Sequence, residues 1–227
     1  MALSFICIHG ALGTAAQFDA LKAQPDVPDL ITLNLPGHGG VGCDGEFSNG
    51  IFAAAVLDKM EQIGTQQADL FGYSMGGYIA LWMAWQFPEK IRSVTTLNTK
   101  LDWTPETASR MVGMFDTQKI MTKAPQMAEV LAKAHAPGDW ITVAEKTARF
   151  LHQLGHGEGI PEAGFRSITC PVQVLRGEAD PVVSETESRA VAEWIPNAVY
   201  AEVADSKHAI EQINLNALVH LLLLQQV

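Results

Sequence analysis

Short apolar runs rich in β-branched and aromatic residues recur at 3–8 (LSFICI), 30–35 (LITLNL), 68–73 (ADLFGY), 92–98 (RSVTTLN), 172–176 (VQVLR) and 198–203 (AVYAEV). Each has the length of a strand rather than of a helix. Longer stretches with helical spacing of apolar positions lie between them, near 14–24, 50–63, 75–87, 185–194 and 209–225. Strands that alternate with helices predict an α/β fold, a mostly parallel sheet of about six strands with helices on both faces. Pro88 ends the helix at 75–87, because a proline disfavours helical geometry at the residue before it.

One interval breaks the alternation. From 101 to 169 no strand pattern appears, only helical patterns near 105–121, 125–135 and 141–154, punctuated by Pro105, Pro125, Pro137 and Pro161. The alternation resumes at Pro171. The organisation expected is therefore an α/β core from 1–100 and 170–227, carrying a small helical insertion at 101–169.

Composition narrows the partners. A chain of 227 residues with 48% apolar and 18% charged residues reads as one soluble globular domain with a sizeable core. A net charge of −10 argues against nucleic acid, whose phosphates need a basic surface, and offers no attraction to anionic membranes. Three cysteines with no C-x-x-C spacing predict neither zinc nor a disulfide framework, and suit a reducing, cytoplasmic setting. The opening MALSFICIHG has no charged leader, and the closing LNALVHLLLLQQV is too short to span a bilayer and reads as a helix packed on the core. A small molecule is the expected partner, without metal or organic cofactor; a homodimer stays open.

The polar residues that follow each strand carry the chemistry, because open parallel sheets bind ligands beyond the carboxyl ends of their strands. His9 and Gly10 follow the first run, and PGHGG with His38 the second. Ser74 follows the third, and Asn98, Thr99 and Lys100 the fourth. Asp180 follows the fifth and His208 the last. A serine hydroxyl is a weak nucleophile until an imidazole takes its proton, and the imidazole needs a carboxylate to hold its tautomer. Ser74, Asp180 and His208 thus form a candidate catalytic set. Ser74 stands in Gly72-Tyr73-Ser74-Met75-Gly76, a G-x-S-x-G between strand and helix, where a strained turn displays the serine and its neighbours must be small. Asp180 could instead cap the next helix, but Ser184 with Glu187 three residues later makes the better capping box and leaves Asp180 free.

With HGALG at 9–13, LPGHGG at 35–40, GYSMGG at 72–77, RGEADPVVS at 176–184 and SKHAIEQ at 206–212, the chain resembles the α/β-hydrolase-fold superfamily, of the serine-hydrolase type with a helical cap, over essentially its full length. The resemblance implies Ser74 as nucleophile, His208 as general base then acid, and Asp180 as the orienting carboxylate. It implies an oxyanion hole from the backbone N–H groups of Ala11 and Met75, and a cap formed by 101–169. Leu12, Tyr73, Lys100 and Trp103 are candidates for the substrate pocket, with Lys100 placed to meet a substrate carboxylate or an acid of the cap; a solvated lysine and a packed tryptophan are the plainer alternative for Lys100 and Trp103. Members often open with an antiparallel hairpin before the H-G strand; here the H-G strand comes first, so six strands are expected. The implied activity is hydrolysis of a small ester or related acyl compound through an acyl-enzyme, carboxylesterase-like. Carbon–carbon hydrolysis, or the menaquinone-pathway synthase reaction, is the alternative on the same fold. That synthase usually follows GYSMGG with an arginine, where this chain has Tyr78. A ligand receptor that keeps the fold and turns over slowly is a third reading.

Other residues have plainer expectations. His9 is expected to brace the loop carrying Ala11, and His38 to organise its own loop. His152 and His156 have i,i+4 spacing but enclose Gly155 and lack an acidic third ligand. Gly40 to Gly45 spells G-x-G-x-x-G, yet it stands apart from its strand and opens no helix, so it is not a dinucleotide site. Met111, Met114, Met121 and Met127 fall at helical spacing and are expected to pack in the core rather than line a pocket.

Overall fold

The computed structural model describes residues 4–224. Its six strands are β1 (Ser4–Ile8), β2 (Asp29–Thr32), β3 (Ala68–Tyr73), β4 (Ile91–Leu97), β5 (Val172–Gly177) and β6 (Ala198–Val203). They form one sheet in the order β2-β1-β3-β4-β5-β6, and every neighbouring pair is parallel. Parallel neighbours require crossovers, which the helices supply. These are α1 (Asp19–Lys22), α2 (Asn49–Gln62), α3 (Met75–Gln86), α4 (Pro105–Val112), α5 (Thr117–Lys123), α6 (Pro125–His135), α7 (Trp140–Gln153), α8 (Glu162–Arg166), α9 (Glu185–Trp194) and α10 (Leu215–Leu224). Among the described residues, no helix is long and apolar enough to cross a membrane.

Strand periodicity sorts the core into two layers. In β1, Ile6 and Ile8 face one apolar cluster with α2 and α3, while Phe5 and Cys7 face the other with Phe18, Leu218 and Leu222. Both faces of the sheet are thus covered, which is why its strands read as continuous apolar runs. α4 to α8 lie between β4 and β5 and form the cap insertion beyond the core strands. The cap is not a loose appendage: Phe150 and Leu151 of α7 are buried in the same cluster as Phe52 of α2.

Several boundaries differ from the sequence expectation. The run at 30–35 pairs only through Thr32; Leu33 and Leu35 are buried in a loop instead. The segment 14–24 forms a 3-10 turn at Ala15–Phe18 followed by the single turn of α1. The segment 105–121 breaks at Asp116, whose side chain accepts the Lys119 N–H and caps α5. α8 carries no clear periodic signal at five residues. Leu3 and Gln225, included in the expected first strand and last helix, lie outside the described residues.

The close approach of α3 to the sheet sets the geometry of everything above it. A Cβ on Gly76 would run into the backbone of Ile8 and His9, and one on Gly72 into the backbone of Gly76 and Gly77. Neither obstacle is the end of a flexible side chain. Replacing Gly76 by alanine must therefore move α3 or β1, and it is expected to lower stability by about 1–3 kcal/mol. Urea denaturation of Gly76→Ala beside the unsubstituted protein measures this, and equal midpoints would contradict the packing described.

Candidate active site

Ser74 occupies the turn between β3 and α3 with φ 52° and ψ −116°, a region that non-glycine residues rarely enter. The conformation is held from several sides. The Ser74 N–H donates to the Leu97 carbonyl at 2.8 Å, and the Ser74 carbonyl accepts from Gly77 N–H at 3.1 Å. The serine side chain is thereby presented above the sheet edge, where its Oγ lies 3.4 Å from His208 Nε2.

His208 follows β6 on a loop that two side chains pin by its backbone. Tyr73 donates its hydroxyl to the His208 carbonyl at 3.0 Å, and Asn98 Nδ2 donates to the carbonyls of Lys207 and His208 at 2.7 and 3.0 Å. Asn98 Oδ1 also accepts the Gly177 N–H at 2.6 Å, so one side chain joins the ends of β4 and β5 to the histidine loop. On the far side of the ring, Nδ1 lies 2.8 Å from Asp180 Oδ2. That carboxylate is fully buried, and its other oxygen accepts the N–H groups of Val182 and Val183 at 2.7 and 3.0 Å. With its lone pairs thus engaged it can hold the imidazole in one tautomer, leaving Nε2 to take a proton from the serine. α9 has its own cap, the Ser184–Glu187 capping box, and makes no claim on Asp180. Arg176 braces this acid loop, donating to the carbonyls of Val183 and Asp180 at 2.7 and 3.1 Å. Asp205, the other acid near His208 in sequence, is exposed, and its N–H is bound to Glu178.

The N–H groups of Ala11 and Met75 have no hydrogen-bond partner among the described residues. Met75 is the first residue of α3, where the helix dipole favours a negative charge. Ala11 sits in a tight turn closed by the Gly13 N–H on the Gly10 carbonyl at 3.0 Å, with Leu12 at φ 54°. Gln17 accepts the Gly10 N–H at 3.0 Å and steadies the same turn.

A cavity of about 310 Å³ opens onto Ser74 and His208. Ala11, Leu12, Tyr73, Lys100 and Trp103 all line it, so the structure brings these sequence candidates together around Ser74. Two expectations need correction. Lys100 meets an acid, but that acid is Glu187 of α9 and not one of the cap. Met111, Met114 and Met127 line the cavity, and only Met121 of the four methionines is confined to packing against the core. Helical spacing shows that such residues share a face, without showing whether that face meets another helix or a void. His152 and His156 stack on each other at 4.0 Å, away from the cavity.

The family model for the alpha/beta hydrolase fold matches residues 4–139. The chain belongs to this family. It is 25% identical over 190 residues to the 2-hydroxymuconate semialdehyde hydrolase of Pseudomonas putida, a match covering 75% of this chain and 65% of that protein. Over 88 residues it is 34% identical to the pimeloyl-[acyl-carrier protein] methyl ester esterase of Neisseria meningitidis serogroup B, covering 38% of this chain and 33% of that protein. Matches to these relatives therefore span from a third to just under two thirds of their lengths. A thermophilic esterase from Thermogutta terrifontis superimposes with a TM-score of 0.77 at 18% identity, over 99% of this chain and 89% of that one.

Within this hydrolase fold, three histidines cluster beneath the Ala11 turn. His9 and His38 have ring centroids 4.9 Å apart, and His38 and His135 5.7 Å apart. His9 Nδ1–H donates to the Gly10 carbonyl at 2.9 Å while Nε2 accepts the Leu35 N–H at 3.1 Å. His135, from the end of α6, accepts the Gly39 N–H at Nδ1 and donates from Nε2 to the Leu12 carbonyl, both at 3.1 Å. Each of these two rings must be neutral, because an accepting nitrogen cannot carry a proton. Burial holds His9 down to about 4, His38 well below the ordinary histidine value, and His135 below it as well. His135 gave no signal in the sequence, since its partners lie 96 and 123 residues away.

These depressed values make folding pH-dependent with a definite sign. Well above pH 6.5, near pH 8, neither folded nor unfolded histidines are protonated and their contribution is complete. As pH falls from 6.5 toward 4 the unfolded chain takes up protons that the folded cluster cannot, so stability is lost. His9 alone accounts for about 1 kcal/mol by pH 5.5. Urea midpoints measured from pH 8 to pH 5 are expected to fall below pH 6.5, and a flat profile over that range would exclude a neutral buried cluster.

Proposed function

We propose that this chain is a serine hydrolase that cleaves a small ester or related acyl compound through an acyl-enzyme, in the manner of a carboxylesterase. The observation that carries the reading is the chain of contacts from Ser74 Oγ through His208 to buried Asp180, at 3.4 and 2.8 Å, built on a strained serine. A contact of 3.4 Å is long for a working hydrogen bond, but such contacts shorten when substrate seats. Ser74 Oγ attacks the acyl carbon as His208 Nε2 takes its proton. The oxyanion rests on the N–H groups of Ala11 and Met75, and the imidazolium, steadied by Asp180, protonates the departing alkoxide. Water activated by the same imidazole then attacks the acyl-enzyme and releases the acid and free Ser74.

The relatives support the same class, since one is named a hydrolase and another a methyl ester esterase. In this reading residues 101–169 act as one cap unit over the core at 1–100 and 170–227. Free Cys7, Cys43 and Cys170 and the net charge of −10 fit a cytoplasmic enzyme acting on a small molecule rather than on nucleic acid.

Labelling by a fluorophosphonate, together with hydrolysis of p-nitrophenyl esters, tests the assignment. Ser74→Ala is expected to abolish labelling and to lower kcat by about 10⁶-fold, and Asp180→Asn to lower it by about 10⁴-fold. A protein that neither labels nor hydrolyses faster than Ser74→Ala is not a serine hydrolase.

A further inference from the structure

The walls of the cavity determine which acyl groups can sit next to Ser74. Lys100 is the one lysine or arginine among the described residues that line it. Its charge is already committed: Nζ lies 2.7 Å from Glu187 Oε2, and the two side chains are only 6% and 9% exposed. Glu187 is equally fixed, accepting the Leu101 N–H at 3.1 Å and the Ser184 hydroxyl at 3.0 Å.

Other polar atoms of the wall are also engaged within the protein. The Tyr78 hydroxyl accepts the Ile160 N–H at 2.5 Å, and Trp103 Nε1–H donates to the Lys100 carbonyl at 3.2 Å. Tyr73 spends its hydroxyl on the His208 carbonyl. Gln17, which also lines the cavity, spends its Oε1 on the Gly10 N–H at 3.0 Å. Apart from these residues and Ser74 and His208 the wall is thioether, aromatic and aliphatic, with Met111, Phe115, Phe150 and Leu154 forming the part that the cap supplies. An acyl chain that enters finds dispersion contacts and, in Lys100, a charge already neutralised by Glu187, which itself lies outside the cavity wall. A carboxylate that enters finds no free cation, and exchanges its water only for the neutral groups of Gln17 and Tyr78, which do not balance its charge.

We infer that the pocket selects an uncharged, apolar acyl chain and rejects acyl groups ending in a carboxylate, with the Lys100–Glu187 pair as the specificity determinant. This rests on the serine-hydrolase reading. Within it, Glu187 acts by masking Lys100. A glutamine at the same place retains a capping-box residue for α9 while leaving the lysine charge unmasked. Burial of successive methylenes is expected to raise kcat/KM by roughly three- to fourfold each until the cavity is full.

The test compares p-nitrophenyl pentanoate with the p-nitrophenyl monoester of glutaric acid, whose acyl group has the same number of carbons but ends in a carboxylate. The unsubstituted protein is expected to favour the pentanoate at least about 100-fold in kcat/KM. Glu187→Gln is expected to shrink that ratio by about tenfold or more, through a lower KM for the glutarate ester, and Lys100→Met added to Glu187→Gln to restore it. Comparable kcat/KM values for the two esters with the unsubstituted protein overturn the inference without any variant. So does a ratio unchanged in Glu187→Gln whose melting temperature is preserved. Fluorophosphonate labelling and p-nitrophenyl acetate hydrolysis in the same preparations separate the two levels. If both fail, the hydrolase reading falls and takes the inference with it; if both succeed and the ratio is near one, only the inference falls.

Discussion

The structure depends on how closely the first turn of α3 can approach the ends of β1 and β3. Gly76 lies against the Ile8 and His9 backbone, and Gly72 lies under the Gly76–Gly77 backbone. This contact forces the chain through a left-handed bend at Ser74, and a bend that tight costs of the order of 1–3 kcal/mol. The surrounding packing offsets it: all but a few residues of α3 are buried, and the Ser74 N–H is anchored on β4. The same approach brings Met75 N–H beside the Ala11 turn, because Ala11 lies just beyond the strand that α3 touches. The displayed serine, the unpaired Met75 amide and the sheet edge are thus consequences of one backbone-to-backbone contact.

The remaining members of the site are held by side chains that cross between loops. Asn98 binds the β5 end and the histidine loop at once, with its own backbone at φ 52°. Arg176 gathers the loop that carries Asp180 and also meets Glu202 of β6 at 3.1 Å. Neither touches the cavity, yet both restrict where the imidazole and its carboxylate can sit. An acid–imidazole–serine alignment assembled from three separate loops requires such cross-ties, since loops alone carry little rigidity.

Much of the core is legible from periodicity. β3, β6, α6 and α9 have the boundaries that the apolar pattern and the caps predict: β3 is buried along its whole length, Ser184 marks α9 plainly, and β6 is readable by its strand-length apolar run although it is a half-exposed edge strand. Ser74, Asp180 and His208 can be located from the polar residues just beyond each strand's carboxyl end, a rule set by topology. The same rule also marks Asn98, but the supporting contacts are not legible. Asn98, Arg176, Gln17 and His135 work through partners on other loops, and a single polar residue after a strand does not declare its partner. The cap is legible as helices but not as a surface, and so the sequence places its methionines in the core although three of the four face the cavity.

His135 ties the end of α6 to two different loops, through the Leu12 carbonyl and the Gly39 N–H. A cap element that shifts away from the core must break both bonds or drag both loops with it. Breaking them leaves the buried imidazole and the Leu12 carbonyl without partners, while dragging them deforms the turn that carries Ala11. The cap and the Ala11 turn are therefore geared together, so that the position of one constrains the other through a single imidazole.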